Sequence, residues 1–139
     1  MKLFDTLSGK KREFQPRESE VKLYVCGVNP YAPAHVGHAL SYLTFDVLRR
    51  YLEFRGYHVH HVQNFTDVED NIIAAAQRAG VTITELTQRY IQEFFEDMDA
   101  LNVLRAHVYP KATEEIPQII EMVSGLIEKG YAYAADGDV

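Results

Sequence analysis

At 139 residues the chain fits one folded unit with a real core. Its 47% hydrophobic and 24% charged content excludes a disordered chain, a collagen-like repeat and a coiled coil. The formal net charge of −6 argues against nucleic-acid binding on a basic surface, although residues 1–65 carry nine Lys and Arg against six Asp and Glu, which reserves the first half for any anionic ligand.

The opening MKLFDTLSGKKREF has no apolar signal-peptide core. No later window approaches the ~18 consecutive apolar residues of a membrane span, so no membrane contact is expected. Residues 21–26 alternate Val21, Leu23 and Val25 with Lys22, Tyr24 and Cys26, the period of a strand. Cys26 is the single cysteine, which forbids an internal disulfide and fits a reducing, cytoplasmic setting. A loop marked by Gly27, Pro30, Pro33 and Gly37 follows, and a helix is predicted from Ala39 to Arg55. Its apolar face is read as Leu40, Leu43, Val47, Tyr51 and Phe54, with Tyr51 and Phe54 in the core. Arg49, Arg50 and Arg55 are read as a solvated face.

A second strand is predicted over 58–63. His58 and His60 share one of its faces and His61 the other, so the three histidines do not converge on a metal. Helices are expected over Asp70–Ala79, from a Thr82/Glu85 capping box to about Leu101, and over Ile116–Lys129 with Pro117 in the first turn. Asp67, Glu69 and Asp70 are read as carboxylates at a helix entry. The tail YAYAADGDV is read as a strand entering an Asp136-Gly137 turn.

Strand, loop, helix and strand in succession predict an α/β, Rossmann-like fold: a parallel sheet with flanking helices, incomplete at its carboxyl end. Ligands in such folds bind beyond the carboxyl ends of the strands, which singles out the loop after the first one. A helix opening beside His35, Gly37 and His38 offers free N–H groups and two imidazole donors to a phosphate. From spacing alone the two histidines could equally be capping or loop residues with no ligand. Cys26 has the same ambiguity: a small buried hydrophobe, or one zinc ligand of a set completed elsewhere.

YVCGVNPYAPAHVGHA, followed by QNFTDVEDNII, resembles the amino-terminal part of a cysteinyl-tRNA synthetase, a class I aminoacyl-tRNA synthetase. His35-Val36-Gly37-His38 is similar to that class's HIGH signature. Further blocks at LFDTLSGKKREF, 45–57 and 99–139 resemble the family in the same order, so the likeness covers all 139 residues as one portion of a catalytic domain with no second domain. The resemblance implies the HUP-type variant of the Rossmann-like fold. It implies that Cys26 is the first ligand of a zinc ion (Zn2+) that grips the substrate thiolate, and that Gly27, Asn29 and Thr66 line the cysteine pocket. It further implies that His35, Gly37 and His38 bind ATP, supplied with Mg2+, and that His35 and His38 stabilise its α-phosphate while cysteinyl-adenylate forms. The final acceptor would be tRNA(Cys), held mainly by regions outside these residues, with a contact from Arg49, Arg50 and Arg55 to its acceptor end as the alternative to their solvated face.

Asn29-Pro30-Tyr31-Ala32 departs from the family's Thr-Val-Tyr-Asp, and the proline before tyrosine resembles the mycothiol-pathway cysteine ligase, which transfers cysteine to an amino sugar. The family's other zinc ligands (Cys, His and Glu), its KMSKS loop and its tRNA-binding helices are not among these residues. The chain is therefore expected to be an amino-terminal portion of a longer enzyme, inactive alone. A truncated non-catalytic binding module is the remaining alternative.

Overall fold

In the computed structural model, which describes residues 1–16 and 20–139, the alternating run at Val21 belongs to a strand longer than its sequence signal. Two short strands precede it. β1 (Lys2–Asp5) and β2 (Lys10–Glu13) form an antiparallel hairpin whose turn uses the positive φ of Gly9. The sequence reading assigned no element here, because KKRE is exposed along its whole length and gives no apolar alternation.

β3 (Glu20–Val28) pairs in parallel with β4 (His58–Phe65), and helix α1 (Val36–Phe54) connects them. The segment after residue 106 runs parallel along the far side of β4, with bridges Val62–Val108 and Phe65–Lys111. Its backbone is held by Gln63 N–H to Val108 C=O (3.1 Å) and Phe65 N–H to Pro110 C=O (2.9 Å). The expected α/β architecture is present, with an incomplete parallel sheet.

The face of α1 differs from the sequence reading. Its buried residues are Tyr42, Asp46, Arg49 and Leu52, whereas Val47 is 65% and Phe54 84% exposed, and Leu40 and Tyr51 also face out. Tyr51 and Phe54 are therefore not core residues, and Arg49 leaves the solvated face that Arg50 and Arg55 keep. Asp46 accepts from the Leu104 amide (2.9 Å) and from Arg50 Nε (2.7 Å). Arg49 donates to Glu53 (2.8 Å) and the Arg105 carbonyl (2.7 Å), and Arg50 to the Asn102 carbonyl (2.6 Å). Hydropathy places such residues outside. Asp46 and Arg49 face inward because the Leu104 amide and the Arg105 carbonyl lie there to pair with them.

These polar residues divide the interior. Val25, Val28, Tyr42, Phe65, Phe94 and Met98 form one apolar cluster, and Val21, Leu52 and Val59 another. Along α1 and along β4, the buried Asp46, Arg49, His61 and Gln63 fall between the two. α2 (Asp70–Ala79) ends at Gly80 in the left-handed conformation, as predicted. α3 (Ile83–Ala100) opens with the expected reciprocal Thr82–Glu85 cap. Together they bury Ile72, Ala76 and Leu86, and α3 contributes Phe94 and Met98 to the first cluster.

α4 (Ile116–Glu128) has no buried residue; Met122 is 70% exposed. The expected strand over the tail does not form. Only the turn does, closed by paired Ala135 and Asp138 with positive φ at Asp136 and Gly137. Among the described residues no helix is long and apolar enough to cross a membrane.

His61 tests the polar layer. Both its ring nitrogens are buried without a partner, and burial, then Arg49 and His107, holds its pKa below the usual 6.5, against a smaller opposing pull from Asp46. The neutral ring is the form that folds. Its contribution is complete above pH 6.5 and is lost as pH falls towards the lowered folded value. Thermal melts from neutral to acid pH should show His61→Leu losing less stability than the parent, by up to about 1.4 kcal/mol per pH unit. Parallel profiles for the two proteins would contradict this reading.

Candidate active site

Two residues of β3, Cys26 and Gly27, face one residue of β4, because Val25 pairs with Gln63 and Val28 with Phe65. This bulge resets the alternation. Val25 and Val28 both reach the core, while Cys26 keeps the outward side that the alternation gives it. Cys26 is thus an accessible thiol at the carboxyl end of the strand, not a buried hydrophobe. Gly27 is required by the crossing itself: a Cβ there would lie 1.4 Å from the Asn64 carbonyl oxygen. Its N–H instead donates to Asn64 Oδ1 at 2.7 Å.

Beyond Val28 the chain turns around a cleft of about 270 Å³ lined by Gly27, Asn29, Ala32, His35 and His38, among others. Helix α1 begins at Val36, three residues before the predicted start. His35 is its N-cap, with φ −124° and ψ 171°, and its Nδ1 accepts from the amides of Gly37 (3.1 Å) and His38 (3.4 Å). His38 Nδ1 reaches back to the His35 amide at 3.2 Å. The pair forms a capping box built from imidazoles, and the rings stack with centroids 3.9 Å apart.

Capping and ligand binding are therefore not alternatives. Each Nδ1 is occupied as an acceptor, which places the ring proton on Nε2, so both rings present N–H donors beside the amino end of a helix. Burial, and secondly the neighbouring His35, lowers the His38 pKa below 6.5, so its ring is neutral at pH 7. Gly37 also serves the cap itself. A Cβ there would meet His35 Cε1 at 2.9 Å and Nδ1 at 3.0 Å, so its missing side chain makes room for the capping ring.

Cys26 and Thr66 stand next to this cleft in sequence or strand position, but neither lines it. Thr66, just past β4, is held by its amide on the Val28 carbonyl (3.2 Å) and by Asn64 Nδ2 on its hydroxyl (3.3 Å). Tyr42 lies beneath. Burial first, and then Cys26, pushes its phenol up to about 12.

Among the described residues no group of three His, Cys, Asp or Glu is placed to hold a metal ion, so Cys26 cannot form a zinc site with them. Of the other histidines, His60 stacks on His107 (5.4 Å), His58 is exposed and His61 is buried, in keeping with the expected divergence. Asp67 does not complement a helix dipole. It is buried and accepts from the Thr113 amide (3.0 Å) and hydroxyl (2.6 Å), tying β4 to the far segment. Sequence reasoning missed Asn64, whose amide joins both strand ends. Its one signal is a polar residue in a strand opposite a glycine.

Residues 13–139 match the model of the tRNA synthetases class I (C) catalytic domain. The chain is 55% identical over its whole length to a cysteine–tRNA ligase of Dehalococcoides mccartyi, of which it covers 31%. It is 52% identical to a cysteine–tRNA ligase of Caldicellulosiruptor saccharolyticus, covering all of this chain and 30% of the relative. In structure it resembles Mycobacterium tuberculosis methionyl-tRNA synthetase bound by methionyl-adenylate. That likeness has a TM-score of 0.60 and 26% identity, over 64% of this chain and 18% of the other.

The two glycines should differ in cost. Gly37→Ala meets a ring that can turn away, and should lose about 1 kcal/mol with the cap. Gly27→Ala meets strand backbone and should lose considerably more. Denaturant unfolding of both variants measures this, and equal losses would contradict the bulge geometry.

Proposed function

The chain belongs to the tRNA synthetases class I (C) catalytic domain family, and we propose that it supplies the ATP-binding end of the amino-acid activation site of a cysteine–tRNA ligase. The reaction joins the cysteine carboxylate to the α-phosphate of ATP, releasing pyrophosphate, and then passes the cysteinyl group to tRNA(Cys). The chain spans about a third of the length of the curated relatives it matches. In this reading it works within a longer cytoplasmic polypeptide. The apolar faces that α1 and α4 leave exposed support such an arrangement.

The observation that carries the reading is the His35–His38 pair: two stacked, reciprocally capped imidazoles beside the first strand-to-helix cleft. Donors locked in place before the reaction need no reorganisation as negative charge grows on a transferring phosphoryl group. His35, Gly37 and His38 would bind ATP with its Mg2+, and Gly27, Asn29 and Thr66 the amino acid. Ala32 offers no carboxylate, so recognition of the substrate amine falls to other groups.

Cys26 is exposed and fits the role of one zinc ligand, with the remaining ligands from outside the described residues. Bound zinc would separate cysteine from serine through its preference for thiolate over hydroxyl.

In the polypeptide that carries this chain, His38→Ala should lower kcat for cysteine-dependent ATP–pyrophosphate exchange by about 10²–10³-fold, with little change in the KM for ATP. A loss confined to KM would count against charge stabilisation in the transition state. Charging of tRNA(Cys), against none of an amino sugar, separates this reading from the mycothiol-type ligase. Cys26→Ser should reduce bound zinc in elemental analysis, and unchanged zinc would remove Cys26 from the ligand set.

A further inference from the structure

Asn64 makes three hydrogen bonds with one side chain, to Tyr24 and Gly27 of β3 and to Thr66 just past β4. Oδ1 accepts from the Gly27 amide (2.7 Å) and the Tyr24 hydroxyl (2.9 Å), while Nδ2 donates to Thr66 Oγ1 (3.3 Å). The orientation of the amide is not arbitrary. A backbone N–H can only donate, so the group facing Gly27 must be the oxygen, and the nitrogen necessarily faces Thr66.

Two consequences follow. Tyr24 and Gly27 flank Cys26 on β3, so Asn64 clamps the bulge on both sides of the thiol. Thr66 Oγ1 is used as an acceptor, which leaves its hydrogen free to be donated away from Asn64.

We propose that Asn64 is a positioning residue for the amino-acid substrate: its amide polarises the Thr66 hydroxyl into a donor for an acceptor group of that substrate and fixes the Cys26–Gly27 bulge. This rests on the reading of the site as a cysteine-activating one. Asn64 touches neither substrate in this assignment and acts through Thr66 and β3. A substrate approaching Thr66 therefore meets a donor, which favours a carboxylate or thiolate there over an ammonium group.

Asn64→Asp isolates the polarity. A carboxylate can still accept from Gly27 and Tyr24, but its second oxygen must accept from Thr66, turning that hydroxyl hydrogen inward. In the complete polypeptide that carries this chain, Asn64→Asp and Thr66→Val should each raise the KM for cysteine in pyrophosphate exchange about tenfold or more, with the KM for ATP within about twofold. The double variant should be no worse than either single one, since both remove the same donor. Calorimetric titration with cysteine alone should show the same weakening, and thermal melts should place Asn64→Asp near the parent.

Unchanged cysteine affinity in Asn64→Asp, equal changes for cysteine and ATP, or additive effects in the double variant would each overturn the proposal. A parent protein with no cysteine-dependent exchange would overturn the reading beneath it. Active parent enzyme with an indifferent Asn64→Asp variant would sink only the positioning role.

Discussion

A parallel strand pair that carries one extra residue on one side must place that residue without losing the core. β3 meets this with two residues, Cys26 and Gly27, opposite Asn64. The extra residue lets both Val25 and Val28 reach the main apolar cluster, with the exposed cysteine between them. The glycine is dictated by a neighbouring carbonyl that leaves no space for a Cβ. Everything beyond the strand end inherits its position from this crossing: the cleft, the start of α1, and Thr66 through its bond to Val28. The constraint is one of backbone against backbone, so side-chain rearrangement cannot relieve it.

From there the loop meets a second demand, the unpaired amides at the start of α1. His35 and His38 satisfy three of them with Nδ1 atoms and keep their Nε2 atoms free. Serine or aspartate would cap the helix as well, but neither would leave an outward N–H donor. Histidine does both, and the glycine between the two rings gives the first one room to fold back. The local folding requirement and the chemistry of an anion site are met by the same atoms. For that reason, reading the two roles as competitors misdescribes the motif.

Much of this was legible in the sequence where hydropathy and local chemistry agree. The β3–α1–β4 succession, the ends of α2 and the Thr82–Glu85 cap follow from short-range patterns. The face of α1 was not, because its inward positions carry Asp46 and Arg49, whose partners lie near residue 105, far along the chain. A stripe of Leu40, Val47, Tyr51 and Phe54 looked like the core and is exposed. Asn64 and Asp67 escaped for the same reason: each is defined by a long-range partner that no local period reveals. At the site, the motif residues and the strand-end position of Cys26 could be read directly. The bulge at Cys26 and Gly27 and the imidazole capping box could not, because both depend on three-dimensional register.

Backbone capping fixes the polarity of the histidine pair before any ligand arrives. Nitrogen-15 NMR of the imidazole rings at neutral pH measures this directly, by locating the proton on each ring. His35 and His38 should both carry it on Nε2, with Nδ1 unprotonated and hydrogen-bonded. A proton on Nδ1 of either ring, or the averaged tautomer mixture of a freely solvated imidazole, would contradict it.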